Sequence, residues 1–153
     1  MPTKTLGMDV GDKRIGLAIS DDLGMMAHGL PTLERRNPQY DLDYLKNLLE
    51  EYEIQKIVVG LPLNMNGQKG PRAQIVLAFT ESLQKELSIP VVNWDERLSS
   101  QAAQRPLMEA GVKWRKRRKV IDQLAAIIIL QNYLDHKRHI DHPRTSTPNP
   151  YQK

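Results

Sequence analysis

Four acidic residues in three stretches of this chain could carry chemistry. They are Asp9 in LGMDVGDKR, the adjacent pair Asp95 and Glu96 in VVNWDERLSS, and Asp122 in KVIDQLAAIIIL. Asp9 alternates with Leu6, Met8 and Val10, which puts its carboxylate on the opposite face of an apolar strand. A carboxylate taken out of water needs a cation or hydrogen bonds. Gly7 leaves room beside it on the same face, and Gly11 and Gly16 admit backbone or ligand at close range. The rival reading is an Asp that caps a turn at a strand end. Asp95 and Glu96 end a second apolar strand. Adjacent strand residues face opposite ways, so one of the pair can face a site and the other cannot; the residues leave open which. Asp122 lies in the first turns of an apolar helix. There it either gains about 0.3–1 kcal/mol from the helix N-terminus or is pressed by its apolar flanks against the strand ends. Three carboxylates with oxygen ligands only suit Mg²⁺ or Mn²⁺. Two such ions activate water and stabilise the leaving oxygen of a phosphodiester.

A polyanion also fits the charge pattern. The net charge is +4, and the run KWRKRRK (Lys113, Trp114, Arg115, Lys116, Arg117, Arg118, Lys119) carries six cations. Without that run the chain would stand at −2, so the basicity is a local patch. Trp114 could stack on a base or anchor a core. Arg14 and Arg97 each closely follow an acid, and either contact phosphate or pair with that acid. His136, His139 and His142 sit three apart at a helix end and read as a surface tail rather than a metal site.

The elements that would position these residues follow from periodicity. Lys4 to Val10 and Arg14 to Ser20 read as a hairpin turning at Gly11, Asp12 and Lys13, with a short third strand between Met25 and Leu33. Asp41 to Tyr52 is predicted helical, and Lys56 to Gly60 is a buried parallel strand. A Pro/Gly/Asn-rich loop, LPLNMNGQKGPR, leads to a helix from Ala73 to Leu87. A strand from Val91 to Asp95 follows. Ser99 or Ser100 caps a helix to about Ala110, stopped by Gly111 and interrupted by Pro106. The last helix is predicted from Lys119 to His136, with Val120, Ile121, Leu124, Ala125, Ile127, Ile128 and Leu134 as its apolar set. The tail from Arg138 is predicted loose, giving one domain over 1–137 and a tail over 138–153. This order implies an α/β fold with a mixed sheet and helices on its faces.

Bulk properties narrow the class. The 153 residues suit one core, and 40% hydrophobic with 26% charged residues indicates a folded globular chain. There is no cysteine, hence no disulfide or thiolate site. No apolar run reaches the roughly 18 residues that span a bilayer, and MPTKTLGMDVG has no secretory apolar stretch. A cytoplasmic protein is expected.

Four motifs, MDVGDKRIGLAISD, VVGLPLNMNG, DERLSS and KVIDQLAAIIILQNYL, occur in that order. Together they resemble the YqgF (RuvX) family of pre-16S ribosomal RNA nucleases, also described as Holliday junction resolvases. The resemblance runs from about Leu6 to Leu134. It implies an RNase H-like fold, with a mixed five-stranded sheet whose first three strands are antiparallel. It implies an ester-bond hydrolase processing the 5′ end of pre-16S rRNA. The alternatives are a resolvase of branched DNA, or a nucleic-acid-binding module with weak or no catalysis. The family's acids fall on Asp9, Asp122 and, within the pair, Glu96 in preference to Asp95, with Asp9 bridging two ions. Asn64 and Asn66 would then contact phosphate or ribose. Pro106, and Ser99 and Ser100 where Thr is common, depart from the family pattern. Structured RNA is the expected partner, with the chain a monomer or homodimer.

Overall fold

In the computed structural model, which describes residues 4–95 and 114–141, five strands form one mixed sheet. They are β1 (Lys4–Val10), β2 (Arg14–Ser20), β3 (Ala27–Glu34), β4 (Ile54–Leu61) and β5 (Val91–Asp95), in the spatial order β3-β2-β1-β4-β5. β1, β2 and β3 pair antiparallel, while β4 runs parallel to β1 and β5 parallel to β4. This is the mixed sheet that the family resemblance implied. Strands β1, β2 and β5 also have the expected limits. The predicted helix from Ser99 or Ser100 to Ala110, its Pro106 and the Gly111 stop lie outside the described residues.

The helices divide between the two faces. Helices α1 (Pro38–Glu51) and α2 (Pro71–Glu86) cover one of them. Leu6, Met8, Val10, Ile15, Leu17, Ile57 and Val59 are buried there against Leu45 and Leu48 of α1 and Val76 and Leu83 of α2. Both helices begin earlier than the apolar period predicted. Asn37 caps α1, its side-chain oxygen accepting from the Tyr40 N–H at 2.8 Å, and Pro38 takes the first turn. Pro71 does the same for α2. A proline lacks the N–H that the first turn leaves unpaired, so it suits the helix start, where an apolar period gives no signal.

Helix α3 (Trp114–Asp141) covers the other face. It buries Ala125, Ala126, Ile129, Leu130, Tyr133 and Leu134, whereas Ile127 and Ile128 are only partly buried. It is longer than expected at both ends. Trp114 and the basic residues Arg115 to Lys119 form its start, and it runs past the expected boundary at 137 to Asp141. No described helix is long and apolar enough to cross a membrane.

β3 is an edge strand and holds Pro31, which has no N–H for a ladder. The register shifts there: Ile15 pairs with Leu33 but Leu17 with Leu30, so Pro31 and Thr32 together oppose Gly16. The bulge falls beside the strand position facing Asp9.

Candidate active site

Asp9 pairs across the β1–β2 ladder with Gly16, and Gly7 pairs with Ala18. Alternation therefore sets Asp9, Gly7 and Gly16 on one face of the sheet, the face that α3 covers. A methyl group at Gly7 would meet Leu130 Cβ at 2.7 Å and the Ala126 carbonyl at 3.2 Å. One at Gly16 would lie 1.9 Å from the backbone oxygen of Asp122. The helix backbone thus rests on Gly16 at the residue that carries the second predicted acid. Asp122 arrives beside the strand position that faces Asp9, as the apolar flanks of its helix predicted.

Further contacts fix this end of the helix. Thr32, in the bulge, donates to the Lys119 carbonyl at 3.0 Å, and Gln123 donates to the Leu30 carbonyl at 2.8 Å. Lys119 pairs with Glu34 at 2.8 Å. The Lys119 ammonium, hydrogen-bonded to that carboxylate, holds the Glu34 pKa below the usual carboxylate range.

The Arg14 Nε donates to Asp122 Oδ2 at 2.8 Å, with both side chains about four-fifths buried (19% and 24% exposed). Arg14 therefore pairs with an acid, but with one 108 residues away rather than with its neighbour Asp12. Asp12 is taken by Arg72 of α2 at 2.6 Å, and Arg72 also donates to the Val10 carbonyl. Arg72 ties α2 to the end of β1, immediately after Asp9. Sequence reasoning missed this residue, because RAQIVLAF at the start of a helix carries no chemical signature.

β5 separates Asp95 from this face. Val92 and Trp94 join the α3 cluster, with the Trp94 ring edge-on to Tyr133 at 5.6 Å. Asn93 points the other way and donates to Thr80 of α2 at 2.9 Å. By the same alternation Asp95 falls with Asn93, away from Asp9. Glu96, Arg97 and Lys113 lie outside the described residues. Of the basic run, the side chains of Arg118 and Lys119 are described, and both are exposed. His136 packs its ring 5.0 Å from Trp94; His142 lies outside the described residues.

Asn64 and Asn66 sit on the exposed loop after β4. The loop turns on itself, the Gly67 N–H donating to the Asn64 carbonyl at 2.7 Å with Gly67 at φ +83°. Asn66 Oδ1 accepts from the Gln68 N–H at 3.0 Å, so part of its capacity shapes the loop.

Asp9 and Asp122 are thus brought to one face, and both are hard oxygen donors, as Mg²⁺ or Mn²⁺ requires. Among the described residues, no three acidic or histidine side chains cluster closely enough to hold a metal ion. Of the three expected carboxylates, Asp9 and Asp122 fall among the described residues and Glu96 does not.

A family model described as RuvX, Holliday junction resolvase, matches residues 3–136. Relatives described as "Putative pre-16S rRNA nuclease" include one from Halothermothrix orenii, 49% identical, covering 90% of this chain and 98% of its own. Another, from Geobacillus kaustophilus, is 51% identical and covers 88% and 99%. Among solved structures, RuvC of T. thermophilus in complex with a Holliday junction superposes with a TM-score of 0.52 at 16% identity, covering 88% of this chain and 95% of that one. The fowlpox virus resolvase bound to Holliday junction DNA gives 0.52 at 12% identity, covering 88% and 99%. At these identities the two structures share the fold.

Proposed function

The chain belongs to the RuvX family, and from that membership we propose that it is a metal-dependent endonuclease hydrolysing phosphodiesters of structured RNA. Its role would be to process the 5′ end of pre-16S rRNA, in the cytoplasm. The observation that carries the reading is the meeting of Asp9 and Asp122 over Gly16. The backbone of Asp122, 113 positions further along the sequence, rests on the glycine that pairs with Asp9 across the β1–β2 ladder.

Asp9, Asp122 and Glu96 would hold the divalent ions, Mg²⁺ or Mn²⁺, with Asp9 shared between two. Glu96 is preferred to Asp95 because alternation along β5 puts Asp95 with Asn93, on the face away from Asp9. When bound, such ions lower the pKa of a coordinated water and stabilise charge on the leaving oxygen. Arg14 orients the Asp122 carboxylate through its 2.8 Å hydrogen bond. The basic stretch from Lys113 to Lys119, with Arg97, would engage the substrate backbone, and Asn64 and Asn66 a flanking phosphate or ribose.

The substrate alternative is a four-way DNA junction, favoured by the description of the family itself. One experiment tests both. Wild type and Asp9→Asn are given a pre-rRNA fragment and a four-way junction, side by side, with Mg²⁺ or Mn²⁺. Wild type is expected to cut the RNA. Asp9→Asn is expected to lose more than about 100-fold, since even the outer partners of metal ligands are worth roughly 10–100-fold. Cutting of the junction alone would move the assignment to DNA. Cutting of neither would overturn the enzymatic reading.

A further inference from the structure

Next to the acids, between the β1–β2 turn and the start of α1, lies an open cleft of about 500 Å³. Its wall holds four cations, Lys13, Arg14, Arg35 and Arg36, and three acids, Asp12, Glu34 and Asp41. Every one of those acids already has a cation. Asp12 has Arg72 at 2.6 Å, Glu34 has Lys119 at 2.8 Å, and Asp41 has Arg35 at 3.1 Å. Arg14 is held through Nε by Asp122, outside the wall.

That leaves Lys13 and Arg36, neither of which has an ion-pair partner among the described residues. The Arg36 guanidinium lies 4.5 Å above the Tyr40 ring, which fixes its plane while leaving its N–H edge to other partners. The Asn37 side chain at the head of α1 is already used by the Tyr40 N–H, so the surplus charge resides in the two side chains. Asp41 is buried and bonded to both the Arg35 side chain and the Arg36 backbone, which holds this corner rigid.

We propose that this cleft is a second phosphate subsite, in which Lys13 and Arg36 hold a backbone phosphodiester of the substrate strand away from the one that is cut. Arg14 is common to both places, lining the cleft and bonding Asp122. The subsite would lead the strand from Asp9 and Asp122, past the β1–β2 turn, to the head of α1. It is separate from the basic run on α3 and gives the strand a second hold, which sets its direction across the acids. The choice of nucleic acid as the ligand rests on the nuclease reading above. A phosphodiester is shared by RNA and DNA, so both are tested.

Binding of fluorescein-labelled single-stranded RNA and DNA of equal length is measured by anisotropy in EDTA, across a series of salt concentrations. The proteins are wild type, Lys13→Ala/Arg36→Ala, and Lys46→Ala/Lys85→Ala. The last removes two positive charges from exposed helix surfaces outside the cleft. The slope of log K against log salt is expected to become shallower by about 1.4 in the first variant, about 0.7 for each cation on a single strand. The same shift is expected on RNA and on DNA, with the melting temperature unchanged and the Lys46/Lys85 variant like wild type. Lys13→Arg/Arg36→Lys is expected to restore the slope. An unchanged slope, an equal change in the Lys46/Lys85 variant, or a change on RNA alone would each overturn the subsite. Failure of the nuclease reading shows differently, as a wild type that cleaves nothing whatever its salt slope.

Discussion

The two faces of the sheet are built on opposite principles. Toward α1 and α2 the central strands present Leu6, Met8, Val10, Ile15, Leu17, Ile57 and Val59, all large and all buried. Toward α3 the same strands present Gly7, Gly16, Ala18 and Val58, with Asp9 among them. Large side chains hold a helix away from a sheet and bury much apolar area, at about 25 cal/mol per Å². Small ones let helix backbone touch strand backbone. The first face contributes mostly stability. The second gives up apolar area for a short fixed distance, which sets the Asp122 backbone against Gly16, the strand partner of Asp9. Stability and function can therefore be damaged separately, one face at a time.

The largest effect is expected at Gly16. An added methyl would lie 1.9 Å from the Asp122 oxygen and 2.5 Å from its carbonyl carbon, and backbone atoms cannot rotate aside. Gly16→Ala must therefore lift the helix at its acid. A displacement of about 1 Å at a reacting group costs roughly 100-fold in rate, and overpacking costs typically 1–3 kcal/mol. Cleavage assays with thermal unfolding on the same preparation check this. A Gly16→Ala protein with wild-type kcat would sink the claim that this contact positions the site.

The reciprocal break is Ile57→Ala. Ile57 is fully buried among large side chains on the α1/α2 face, so its truncation is expected to cost about 2–5 kcal/mol. Below its lowered melting temperature the variant should keep kcat within a few-fold of wild type. Urea unfolding gives the first quantity and the cleavage assay the second. If kcat fell with Ile57 as far as with Gly16, the division between the faces would be wrong.

The sequence made these faces partly legible. The period of two in LGMDV and RIGLAIS set β1 and β2 to the residue, because one large apolar set repeats without interruption. Gly7 and Gly16 were visible as places of close approach, though what approached was not. The partner of Gly16 is backbone more than 100 positions away, which no local pattern encodes. Arg14 shows the same limit: its sequence neighbour Asp12 goes to Arg72, and Arg14 reaches Asp122. The helix starts at Pro38 and Pro71 lie outside the apolar period, which begins only once the helix turns its face to the sheet. The choice between Asp95 and Glu96 becomes tractable only when Asn93 and Trp94 are seen on opposite faces.

The smallest expected effect concerns how the helix is held at its basic end. The Lys119–Glu34 pair and the Thr32 hydrogen bond tie the start of α3 to the edge strand, beyond Gly16. Glu34 is exposed, so the pair adds little stability, but it leaves a clear titration signature. Its carboxyl titrates lower in the folded chain than in the unfolded one, chiefly through the hydrogen bond from Lys119. The stabilisation is therefore present above the unfolded pKa and lost as pH falls through the folded one. In Lys119→Met the Glu34 midpoint, followed by NMR of its side-chain carboxyl, should rise toward the ordinary value. The acid-side loss of stability that this pair causes should shrink with it. A midpoint that stays low in Lys119→Met would assign the shift to Arg14 and Arg36, its weaker neighbours, and would loosen the link between β3 and the helix that carries Asp122.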